Sequence, residues 1–271
     1  MVSKGFWDHL EDLRNVLFRV IGAWIVLAIL YFILMPYIFD KVILAPCYND
    51  FPFYEMLRLV GQKFSLEDGF FTEEFNVELV NIALTAPFLI HISTAFYLSV
   101  ITTVPYLFYE IWRFLAPALY MHEKRGVRFA FCLGTFMFFA GVALGYFMVY
   151  PLVLRFLASY QLSASIENII SLTSYIDNFM MLVLSMGIAF EMPLVMWLLS
   201  LFGVVNKSML TQYRRHAIVV VVIASAIITP TGDPFTLSVV AVPLYMLYEL
   251  SVLMIRDKVT DEPANDSEQE A

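Results

Sequence analysis

A chain of 271 residues that is 61% hydrophobic and only 15% charged is not an ordinary soluble domain, which carries about 25% charged residues. The formal net charge of −8 gives no strong basic field, so nucleic-acid binding is excluded. Runs of about 20 apolar residues, enough to cross a bilayer core, recur along the chain, and the expected fold is an all-α, polytopic membrane protein.

Residues 1–19 carry Lys4, Arg14 and Arg19, with Phe6, Trp7, Leu10 and Leu13 at helical spacing. This pattern predicts an amphipathic segment at the membrane interface, or equally the first turns of the first helix. Span one follows from Val20 to Phe39 and has no small-residue cleavage site, so it reads as a retained helix and not a signal peptide. Residues 40–78 form an acidic outer loop whose Phe51, Phe53, Tyr54, Met56 and Leu57 predict a small helical cap. Span two, Leu79 to Trp112, contains Pro87 and Pro105, which are expected to bend it.

A mixed-charge inner connector, residues 113–128, leads to span three, Phe129 to Tyr150, where Gly141-x-x-x-Gly145 suggests close helix packing. Residues 151–176 form a second outer loop. Span four lies between Asp177 and Lys207 and is interrupted only by Glu191, with Pro193 two positions later. A basic connector at 204–215 precedes span five, His216 to Ile228, and a turn at 229–234 precedes span six, Phe235 to Met254. Spans five and six read as short for a bilayer, within a concave bundle. The tail, 257–271, is acidic and reads as disordered. Cys47 falls in a loop and Cys132 in an apolar span, so no disulfide is expected between them.

With the N-terminus inside, twelve of the sixteen Lys and Arg residues fall on inner segments and four on outer ones. This positive-inside bias predicts six spans, with both termini and the 113–128 connector in the cytoplasm. No nucleotide-binding loop, HExxH, CxxC or GxSxG occurs, and His9, His91, His122 and His216 show no ligand spacing. No enzyme, metal or cofactor is therefore expected.

Acids in unusual places remain. Glu191 falls near mid-membrane, where an acidic group costs roughly 2.5–3.5 kcal/mol. It is either a protonated packing residue or part of a polar patch on the bundle's concave face. Glu249 lies nearer the inner end of span six, within reach of interfacial water or a basic partner. Asp233 reads as a turn former. Glu11 and Asp12 lie on the same side as Glu123; these carboxylates could receive guanidinium groups, or simply pair with Arg14, Lys124 or Arg125.

Four patches carry a family resemblance. They are His9-Leu10-Glu11-Asp12-Leu13-Arg14, the connector Phe114-x-x-Pro117-Ala118-Leu119-Tyr120-x-His122-Glu123, Phe190-Glu191-x-Pro193, and Thr229-Pro230 with Asp233. In order and placement they resemble the TatC family, the receptor component of twin-arginine protein translocation in the bacterial inner membrane. The resemblance implies that Glu123, with Phe114 and His122 beside it, binds the paired arginines of a signal peptide on a folded precursor. It implies that the acid before span one completes the site. Here the chain departs from the family's HLxELR pattern, with Asp12 in the Glu position and Glu11 in the variable one, so either may serve. The resemblance also implies that Glu191 polarises the concave face and that Pro117, Pro193 and Pro230 shape the backbone. It further implies single-span TatA/TatB-type partners at helices five and six, a homo-oligomer within a lipid-embedded complex, and the proton-motive force as energy source. The rival expectation is a secondary transporter of a small cation or solute using Glu191, although no internal repeat supports it.

Overall fold

A computed structural model describes residues 6–64, 75–118, 124–161, 163, 168–229 and 231–255. His122 and Glu123, Pro230 and the acidic tail lie outside the described residues.

The N-terminal segment and the first span are one helix, α1 (Phe6–Ile38), which runs into a π-helical turn at Phe39–Ile43. One face is lightly buried, with Val16, Ala28 and Met35 turned inward, while Leu17, Phe18, Val26 and Ile33 are more than half exposed. An apolar helix this open is a lipid-facing one. Its main neighbour is α3 (Ala86–Leu115). The expected bend at Pro87 is replaced by a helix start, because Pro87 sits in the first turn of α3, where a missing N–H costs nothing. Pro105 lies inside the helix.

The loop at 40–78 does hold a helix, α2 (Pro52–Phe64). Phe51 stacks on Phe147 at 5.9 Å and meets Tyr146 edge-on at 5.4 Å. Buried tyrosines stitch this cap to the bundle: Tyr54 donates to the Pro46 carbonyl at 2.7 Å, and Tyr175 to that of Ile43 at 2.6 Å. Arg155, which the sequence places among sparse outer-loop charges, is 4% exposed beneath the cap. Its guanidinium lies 5.6 Å from the Tyr54 ring centroid and 5.3 Å from that of Phe75, a cation–π arrangement.

The third span is longer than its apolar run suggests. Helix α4 (Lys124–Leu144) continues through a π-helical turn at Gly145–Val149 into α5 (Tyr150–Ser159), so the second outer loop begins only after Ser159. Two-residue strands β1 (Leu79–Val80) and β2 (Ile170–Ser171) pair in parallel and tie the two outer loops together. Gly141 and Gly145 do mark close packing. A Cβ on Gly141 would lie 2.5 Å from the Met186 carbonyl oxygen, and one on Gly145 would lie 3.2 Å from Cα of Val183, both on α6 (Leu172–Ala189).

Span four breaks at Phe190–Glu191 and resumes as α7 (Met192–Leu201), with Pro193 in its first turn. A short helix, α8 (Lys207–Gln212), leads to α9 (Arg214–Ile228) and α10 (Pro234–Met254). At 15 residues, α9 is about 22 Å long and falls short of a bilayer core of about 30 Å. Helix α10 has 21 residues, about 31 Å, so the expected shortness holds for helix five and not for helix six. Five helical stretches among the described residues are long and apolar enough to cross a membrane, and α9 supplies the sixth pass. The buried core gathers in the capped half, around Phe138, Tyr150, Tyr175, Phe179 and Met186, with a small second cluster near Leu210 and Tyr248.

Candidate functional site

The alternation of six helices puts the start of α1, the end of α3, the start of α4 and the α8–α9 region at one end, opposite the cap. Two residues of the sequence-predicted acid pair separate here. Glu11 is exposed and takes a hydrogen bond from Arg14 Nη2 at 3.2 Å, the local pairing its spacing allows. Asp12 is half-buried and lies four residues before the buried Val16, on the face of α1 that turns toward the bundle. Phe114, also half-buried, ends α3 one turn after Glu110, and Pro117 is exposed in the 3-10 turn Ala116–Ala118.

Glu110 itself was not foreseen. In the sequence it merely ends an uncharged run, yet its side chain is 1% exposed. Arg19 from α1 donates to its Oε2 through Nη2 at 2.7 Å and Nε at 3.1 Å. Tyr106, one turn earlier on α3, donates to Oε1 at 3.1 Å, and Arg113 Nη1 stands 3.9 Å away. Both carboxylate oxygens are thus engaged, as a buried charge requires. The same device recurs between α9 and α10, where Arg214 donates to Glu249 Oε2 at 2.8 Å and Tyr245 donates to Oε1 at 3.0 Å. Glu249 therefore has the basic partner its position called for, although it is less enclosed, at 31% exposure. A Tyr-x-x-x-Glu spacing near the end of an apolar run was the available signal in both cases.

Glu191 differs from both. It occupies the N-terminal boundary of α7 without capping it, and among the described residues neither carboxylate oxygen has a hydrogen-bond partner. Gly134 of α4 lies opposite, where a Cβ would come within 3.0 Å of Oε2. Pro193 does not notch a continuous helix; it begins a new one after the break. At the capped end Asp233 is the N-cap of α10, accepting from Thr236 N at 2.8 Å and Thr231 Oγ1 at 2.6 Å. Burial works to raise its carboxyl, but the hydrogen bonds from Thr231 and Thr236 prevail and hold it below the usual carboxylate range.

Among the described residues no group of three or more His, Cys, Asp or Glu is placed to hold a metal ion. The fold and the ordered acids instead agree with a sequence match. The profile of a family described as Sec-independent protein translocase protein (TatC) matches residues 8–243. The chain belongs to the TatC family. The TatC protein of Blattabacterium sp. subsp. Periplaneta americana is 34% identical over 248 residues, covering 91% of this chain and 93% of that one. That of Aquifex aeolicus is 31% identical over 248 residues, with 91% and 92% covered. A crystal structure described as the twin arginine translocase receptor TatC in DDM aligns with a TM-score of 0.73 at 30% identity, covering 92% of this chain and all of that one. A second TatC receptor structure aligns at 0.67 and 31% identity. The TatC likeness runs through all six helices, and nothing supports the small-solute transporter expectation.

Proposed function

We propose that this TatC-family chain is the receptor and core subunit of a twin-arginine translocase. It binds the paired arginines of signal peptides on folded precursors and organises their export, driven by the proton-motive force and not by chemistry of its own. The observation that carries the reading is the position of Asp12 on the bundle-facing side of α1, at the same end as Phe114 and the connector. Two carboxylates held apart on separate elements suit two guanidinium groups, which bind planar oxygen pairs in a fork that lysine cannot copy.

In this reading Glu123 receives one arginine, Asp12 the other, and Phe114 and His122 line the approach. Asp12, half-buried on the side of α1 that faces the bundle, fits the role of second acid better than the exposed Glu11. In this reading the chain sits in a bacterial inner membrane, and its positive-inside pattern turns this end and both termini toward the cytoplasm. Glu191 polarises the membrane-facing interior. Helices five and six, α9 and α10, dock single-span TatA/TatB-type subunits, and several copies of the chain assemble within the complex. Val219, Val220, Ile227, Val242, Met246 and Leu253 give these helices an open apolar face suited to that docking.

Glu123→Gln tests the site directly. It is expected to abolish cross-linking to a twin-arginine peptide while leaving thermal unfolding unchanged. Normal cross-linking by the variant would sink the assignment.

A further inference from the structure

Arginine recognition by Asp12 requires that α1 be held in a fixed place. Asp12 lies near the start of α1, which among the described residues packs chiefly on α3. A helix anchored only by lipid-facing apolar contact can rotate or slide, since such contacts have no direction. Directional anchoring near this end comes from Arg19 and Glu110.

The spacing along each helix makes this anchor specific. Asp12 precedes Arg19 by seven residues, two helical turns, so both lie on one face of α1. Phe114 follows Glu110 by four residues, one turn, and so shares its face of α3. The two helices run in opposite directions, so both steps lead from the ion pair toward the same end of the molecule. Asp12 is close enough to Arg19 to act on it electrostatically. Tyr106 fixes the other carboxylate oxygen of Glu110, which stops the acid from turning away.

We infer that the Arg19–Glu110 pair, held by Tyr106, is a positioning clamp. It sets the rotation and height of α1 against α3 so that Asp12 faces Phe114 and the connector at a fixed spacing. Arg19 and Glu110 do not touch the ligand; they act through Asp12. The clamp also keeps a buried carboxylate occupied by the chain's own guanidinium, so an incoming arginine meets Asp12 and not Glu110. This inference rests on the proposed arginine-binding role of Asp12.

The test uses the full chain in nanodiscs. Spin labels at Leu10→Cys and Tyr109→Cys, both exposed positions, report the α1–α3 spacing after Cys132→Ser removes the exposed native thiol. Binding of twin-arginine and twin-lysine peptides is measured on unlabelled protein. Glu110→Gln is expected to broaden the distance distribution and weaken twin-arginine binding about ten-fold. Arg19→Lys, which keeps the charge but has one ammonium in place of the two-donor fork, should fall between wild type and Glu110→Gln in both readouts. It also carries the test alone if Glu110→Gln does not fold. A purely structural pair would change unfolding temperature without changing the distance or the peptide preference. Wild-type distances and affinity in the folded variants would overturn the clamp. If the wild-type chain fails to prefer arginine over lysine, the receptor reading fails, and the distance data still judge the clamp by themselves.

Discussion

Gly134 and Glu191 face each other where α4 crosses the break between α6 and α7. A Cβ on Gly134 would stand 3.0 Å from Glu191 Oε2 and 2.5 Å from Leu194 Cδ2. The obstacle is the far end of two side chains, which can turn aside. At Gly141 it is the Met186 backbone carbonyl at 2.5 Å and the Phe190 side chain at 2.7 Å, and the backbone cannot turn. Gly134→Ala is therefore expected to cost about 1 kcal/mol and Gly141→Ala about 3 kcal/mol. Thermal unfolding of the two variants in detergent checks the order. Equal losses would mean that α4 and α6 slide apart more readily than their packing suggests.

Glu191 offers a separation of stability from function. Its two oxygens lack partners among the described residues, so removing them leaves no other polar group stranded. Glu191→Leu is expected to hold or raise the unfolding temperature while export of a folded twin-arginine precursor falls. A loss of about 2 kcal/mol or more would instead mark Glu191 as a packing residue.

The two Tyr-Glu-Arg clusters predict unequal costs. Glu110 is 1% exposed and Glu249 is 31% exposed. Glu110→Ala opens a buried void and leaves Tyr106 without its acceptor, while the 42%-exposed Arg19 can turn to solvent, and the change is expected to cost about 2 kcal/mol. Glu249→Ala removes a partly solvated pair and should cost about 1 kcal/mol. Chemical denaturation of both variants tests the ratio, and similar values would contradict the burial argument.

Asp233 gives a pH dependence whose sign is fixed. Its carboxyl sits below the ordinary range in the folded chain. The contribution is therefore present above the unfolded carboxylate range and is lost as pH falls through the folded value. Asp233→Ala should cost about 1 kcal/mol at neutral pH. That difference from wild type should shrink on acidification to about pH 3. A constant difference across that range would show that the cap does not depend on the charged form.

Much of this architecture was legible because bilayer spans are long and charges at their ends are sparse. The cap and the Gly141–Gly145 packing follow from local spacing, whereas Pro193 read as a notch in one helix and instead starts a new one. The Tyr106–Glu110 spacing was a local signal, but the pairing of Glu110 with Arg19 was not legible, because the two lie 91 residues apart. Arg155 was hidden for a similar reason: its aromatic partners belong to the cap, far off in sequence. Pro87 shows the opposite error. A proline inside an apolar run reads as a bend, but the chain starts its helix there instead. Glu11 and Asp12 are adjacent in sequence, and only the folded helix shows that Asp12 is the one turned toward the bundle.

On the proposed reading, the carboxylates at the α1 and connector end recognise paired arginines. Photo-cross-linking from position 114, with Asp12 and Glu123 intact, to a twin-arginine precursor and its twin-lysine counterpart measures this. A strong cross-link to the arginine form is expected, lost with lysine and lost in Asp12→Asn or Glu123→Gln. Equal cross-linking of both forms, or an unchanged cross-link in both variants, would overturn the assignment.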